Sequence, residues 1–78
     1  MNNVDELYKV IRKNIKVYRK EKRITQRQLA DIIGVSEGYI SDIERDNKDK
    51  HPSLSTLLSI SEALNVELID LLGGRVHE

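Results

Sequence analysis

The side chains of this 78-residue chain are suited to polar contact rather than to making and breaking bonds. Its imidazoles are His51, ahead of a proline, and His77, next to the last residue. Neither has a partner at metal-ligand or nucleophile-base spacing, cysteine is absent, and the carboxylates are interleaved with lysines as on a solvated helix surface. No enzyme, metal, cofactor or small-molecule ligand is therefore expected. The informative residues lie between Thr25 and Arg45. If Ile40 and Ile43 turn inward on a helix, Glu37, Gly38, Ser41, Asp42 and Arg45 share its outward stripe. Glu37 and Asp42 can accept a hydrogen bond from cytosine N4, Ser36 and Ser41 can act either way, and Gly38 permits close approach. No Gln, Asn, Arg or Lys precedes Arg45 on that stripe to make the bidentate contacts that recognise guanine or adenine. Were this stripe to meet DNA, direct base readout would be sparse; the alternative is that the two carboxylates repel the phosphate backbone and the helix makes no base contact.

The elements that must position these residues follow from caps and periodicity. Thr25 is a good N-cap, and Leu29, Ile32 and Ile33 follow it at helical spacing. Gly34 interrupts the pattern at a sharp turn, and Ser36 caps a second short helix carrying Ile40 and Ile43. This helix, tight turn and helix can present the second helix to a DNA major groove while the first crosses the phosphate backbone. Before it, Leu7, Ile11, Ile15 and Tyr18 form the apolar stripe of a long first helix, with Arg12, Lys13, Lys16, Arg19 and Lys20 around it. Val10 and Val17 make a second, thinner apolar line, either core or a surface for another chain. Lys22 and Arg23 make a polar break, and Ile24 is placed as a hydrophobic staple. After it, Pro52 biases His51 away from helix and Ser53 caps a fourth helix. Leu54, Leu57, Leu58, Ser61 and Leu64 are expected to give its buried face with Ile60 on the flank, and Asn65 its left-handed end. The predicted helices are 4 to 21, 25 to 33, 36 to 45, 53 to 64 and 67 to 72, an all-α, five-helix fold.

Length predicts one domain over 1–78, with its core in 12–72 and loose ends at 1–3 and 75–78. No apolar run approaches the ~18 residues of a membrane span, so a soluble cytoplasmic protein is expected. The net charge of zero conceals an asymmetry. Residues 1–30 hold nine Lys or Arg and three Asp or Glu, which is +6; residues 31–78 hold four and ten, which is −6. The basic part could face phosphate.

Thr25-Gln26, Leu29-Ala30, Gly34-Val35-Ser36, Tyr39-Ile40-Ser41 and Ile43-Glu44-Arg45 together resemble the helix-turn-helix of the Cro/repressor, XRE-like regulators. Pro52-Ser53, Leu57-Leu58 and Ala63-Leu64-Asn65-Val66 extend the resemblance, which runs from about Arg12 to Leu72. It implies a lambda-repressor-like DNA-binding domain with the helix-turn-helix at its second and third helices. Double-stranded DNA is then the partner. Ser36 and the start of the third helix would read bases, and Thr25 and Gln26 would hold a phosphate at a helix N-terminus, flanked by Arg27, Tyr39, Arg45, Lys48 and Lys50. The family also pairs an Arg of the first helix with the Glu of Ile-Glu-Arg, here Arg19 and Glu44, as a structural ion pair. The chain departs from the family after Arg45, where Asp46-Asn47 replaces a common glycine. A homodimer is expected through Leu68, Ile69, Leu71 and Leu72, with Val10 and Val17 as the other surface. Two functions remain open: a homodimeric operator-binding transcriptional regulator, most simply a repressor, and a protein-interaction module of the same fold.

Overall fold

Three chain reversals set the architecture, and each closes on a residue in the left-handed region: Arg23 (φ 60°), Gly34 (φ 79°) and Asn65 (φ 57°). In the computed structural model, which describes residues 3–45 and 51–73, the helices are α1 (Asn3–Glu21), α2 (Gln26–Ile33), α3 (Glu37–Glu44), α4 (Leu54–Leu64) and α5 (Leu68–Leu71), and the three reversals lie between α1 and α2, α2 and α3, and α4 and α5. Among the described residues there is no strand. Asp46, Asn47, Lys48, Lys50 and His77 lie outside them. The predicted helices 25–33, 36–45, 53–64 and 67–72 are each trimmed by a residue at one or both ends. The reason is that Thr25, Ser36, Ser53 and Glu67 have extended backbones and stand before the first helical residue as N-caps. At the other end of the chain α1 begins at Asn3, inside the stretch expected to be loose, with Asp5 and Glu6 favourably placed in its first turn.

The end of α1 is a Schellman turn: the Ile24 N–H donates to Arg19 O at 3.0 Å and the Arg23 N–H to Lys20 O at 3.0 Å. The same pattern ends α4, where the Val66 N–H donates to Ser61 O at 2.9 Å around left-handed Asn65. Glycine is the usual residue at such a position, and at Gly34 it allows the abrupt turn between α2 and α3 without the Cβ penalty that Arg23 carries.

One core joins all the helices: Ile11 and Ile15 from α1, Leu29 and Ala30 from α2, Ile40 and Ile43 from α3, Leu57, Ile60 and Leu64 from α4, and Leu71 from α5. Several expected core residues are not in it. Leu54 is 67% exposed, Leu58 is exposed, and Ile60, expected on the flank, is fully buried. Both stripes obey the helical period; α4 is rotated so that Leu57, Ile60, Ser61 and Leu64 face inward. Ile32, 59% exposed, and Leu7 likewise face solvent. The first of these lies on the outer side of α2, whose inward face is formed by Leu29 and Ala30.

Candidate nucleic-acid interface

The N-terminus of α2 is closed by a reciprocal pair of bonds. Thr25 Oγ1 accepts from the Gln28 N–H at 3.0 Å, and Gln28 Oε1 accepts from the Thr25 N–H at 2.8 Å. This capping box leaves the N–H groups of Gln26 and Arg27 at the positive end of the helix, where an anion is favoured. At α3, Ser36 Oγ accepts from the Tyr39 N–H at 3.0 Å, so the cap uses an oxygen lone pair and keeps the hydroxyl hydrogen for an outside acceptor.

A buried ion pair fixes the start of α2 relative to the end of α3. Arg19 donates from Nε to Glu44 Oε2 at 2.6 Å and from Nη2 to Glu44 Oε1 at 3.0 Å. Arg19 Nη1 donates to Ile24 O at 2.8 Å, and Gln26 Nε2 donates to Glu44 Oε1 at 3.0 Å. The two charged side chains are 8% and 3% exposed. Pairing of this quality compensates for taking both charges out of water. It ties α1, the link at Ile24, the start of α2 and the end of α3 to a single carboxylate. Gln26 thus spends one amide hydrogen inside the protein, and its second hydrogen and backbone N–H stay at the helix end.

The outward residues of α3 divide into two groups. Glu37 and Gly38 are exposed, whereas Ser41 and Asp42 are half-buried. Exposed Arg45 donates from Nη2 to Asp42 Oδ1 at 3.0 Å, one turn back. An exposed pair of this kind is worth little and exchanges readily for another anion. Tyr39 packs partly against the core, and Arg27 is exposed. Lys48 and Lys50 lie outside the described residues.

One cluster was not foreseen. Arg12, one of the cations expected around the apolar stripe of α1, is only 3% exposed. It donates from Nη1 to Ile43 O at 2.8 Å, near the end of α3, and from Nη2 to His51 Nδ1 at 3.0 Å. Since a guanidinium only donates, Nδ1 is the acceptor, and the ring proton sits on Nε2, 3.3 Å from Asp5 Oδ1. Tyr8 stacks on the imidazole with centroids 4.1 Å apart and donates its hydroxyl to Pro52 O at 2.9 Å. The first half of α1 therefore grips the segment that leads into α4. The available signal was the spacing of Tyr8, Arg12 and Arg19, which lie on α1 beside the buried Ile11 and Ile15.

The expected dimer residues are also divided. Leu71 is fully buried in its own core and Leu68 packs partly against it, so α5 turns these two inward and leaves Ile69 and Leu72 exposed. Val10 and Val17 on α1 are exposed too. Asn14 Nδ2 ties the helices together by donating to Leu71 O at 3.1 Å.

The family model described as helix-turn-helix matches residues 15–71. This chain belongs to the helix-turn-helix family. The helix-turn-helix protein is 44% identical over 59 residues to the immunity repressor protein of Bacillus phage phi105, covering 76% of the chain but 40% of that relative. It is 34% identical over 67 residues to the control protein C.SmaI of Serratia marcescens, covering 86% of the chain and 77% of the relative. Among solved structures, the clp gene regulator ClgR of Corynebacterium glutamicum matches with a TM-score of 0.78 and 33% identity, over 85% of this chain and 68% of the other. Among the described residues no helix is long and apolar enough to cross a membrane, and no group of His, Asp and Glu is arranged to hold a metal.

Proposed function

We propose that this helix-turn-helix protein is a transcriptional regulator that binds double-stranded DNA as a homodimer on a pseudo-palindromic operator and represses. The observation that carries this reading is the carboxylate of Glu44, bonded to both Arg19 and Gln26. Through it the phosphate-attracting end of α2 and the outward face of α3 form one rigid body, so backbone contact at α2 orients α3 in the groove. In this reading Thr25, Gln26, Arg27, Tyr39 and Arg45, together with Lys48 and Lys50, meet phosphates. Ser36, Glu37, Gly38, Ser41 and Asp42 face base edges. The kinship with a phage immunity repressor favours repression. Exposed Ile69 and Leu72 offer an apolar surface to a second copy, with exposed Val10 and Val17 on α1 as the alternative. Half-sites would then stand about 34 Å apart, one turn of DNA.

The test is duplex binding over a salt series, followed by selection of bound sequences from a random pool. Arg45→Ala should weaken binding to all sequences alike and flatten the salt slope by ~0.9 for each phosphate lost. Glu37→Gln should change the preferred base at one position of each half-site. If neither variant alters binding, α3 is not in the groove, and a protein-interaction role for the fold takes precedence.

A further inference from the structure

Between α1 and the end of α3 lies an open cleft of about 310 Å³, lined by Lys9, Arg12, Lys13, Lys16 and Glu44. The four cations occur at i, i+3, i+4 and i+7, which brings them to one face of α1. The carboxylate in the cleft does not neutralise the lysines. Glu44 already accepts from Arg19 Nε, Arg19 Nη2 and Gln26 Nε2, and its side chain is 3% exposed. Among the described residues no carboxylate pairs with Lys9, Lys13 or Lys16. Lys9, Lys13 and Lys16 are exposed residues lining a concave site, and with Arg12 they are four of the nine cations of residues 1–30.

We propose that this cleft is a phosphodiester site, with Lys9, Lys13 and Lys16 taking a DNA backbone phosphate beyond those met at α2 and α3. The inference rests on the DNA-binding reading above and extends its footprint onto α1. Two observations favour a polymer of phosphates over a single small anion. Exposed lysines hold an isolated anion weakly in water, because each ammonium is strongly hydrated and free to move. The cleft also adjoins the α2 N-terminus through Glu44, which lines the one and bonds Gln26 at the other. In the proposed footprint a duplex backbone held at the start of α2 continues to the lysines, and ordering one phosphate assists the next.

The experiment measures binding to a random-sequence duplex by fluorescence anisotropy between 50 and 200 mM salt, where phosphate contacts dominate. The variants are Lys9→Gln, Lys13→Gln and Lys16→Gln, singly and together, with Lys22→Gln as a control that removes an exposed lysine outside the cleft. All four positions are exposed, and equal melting temperatures establish that the fold is kept. The triple variant should flatten the slope of log affinity against log salt by ~0.9 or more, which shrinks the loss of affinity across that range about 3.5-fold, while Lys22→Gln leaves the slope unchanged. If wild-type protein binds with a salt-dependent affinity and the triple variant's slope equals that of Lys22→Gln, the cleft takes no phosphate and the inference is wrong. If the wild type shows no salt-dependent binding to duplex at all, the DNA-binding reading itself fails and this inference fails with it.

Discussion

Replacing Glu44 by alanine should do more damage than any other single truncation at the α1–α3 contact. The substitution removes the acceptor of three hydrogen bonds, at 2.6, 3.0 and 3.0 Å. It leaves Arg19, 7% exposed, with a guanidinium that keeps only the Ile24 carbonyl. Orphaning one partner of a buried pair costs about 3–5 kcal/mol. A domain of this length has about 4–12 kcal/mol of total stability. Each kcal/mol is worth roughly 4–8 °C in melting temperature at this size, so Glu44→Ala should melt at least about 12 °C below wild type or not fold. Circular dichroism at 222 nm during heating reads this directly, and urea titration gives the free energy independently. The double variant Arg19→Met, Glu44→Leu should lose less than the sum of the single variants, because it leaves no unpaired charge. Glu44→Ala melting within about 2 °C of wild type would refute the reasoning: Arg19 would then be reaching water, and the pair would not be what joins α1 to α3.

Arg12→Met should lower stability by about 1.5–3 kcal/mol, since the bonds to Ile43 O and His51 Nδ1 are both made by a charged donor; a urea midpoint equal to wild type would show that water replaces them without loss. Arg23→Gly should stabilise by about 0.5–1 kcal/mol, the left-handed penalty of a Cβ at φ 60° less the entropy of glycine, and thermal melting checks the sign. Ile69→Asp with Leu72→Asp should leave the melting transition of the fold in place, because both side chains are exposed, and should convert the proposed dimer to a monomer in sedimentation; an unchanged sedimentation coefficient would move the dimer surface to Val10 and Val17 or remove it.

What the sequence by itself determined is what depends on neighbours in the chain. Thr25, Ser36 and Ser53 each bond a backbone N–H three residues on, a contact that needs nothing beyond one turn of helix, and they mark three helix starts. Asn65 turns left-handed for an equally local reason. The helical period places Glu37, Gly38, Ser41, Asp42 and Arg45 on one side of α3 once Ile40 and Ile43 are turned in, and both are fully buried. Tertiary structure decided the angle through which each helix is rotated about its own axis. On α4, Leu54 with Leu58 and Ile60 compete for the core with equally good spacing, and packing against α1, α2 and α5 selects Ile60. On α5 the same choice turns Leu71 into the core and leaves Ile69 and Leu72 outside. Arg12 is the clearest case, because a cation beside a buried stripe reads as solvated until a carbonyl from α3 and an imidazole 39 residues away are brought to it. Desolvating that charge is unfavourable in isolation and becomes acceptable only when partners distant in the chain are in place, so it could not be read from local sequence.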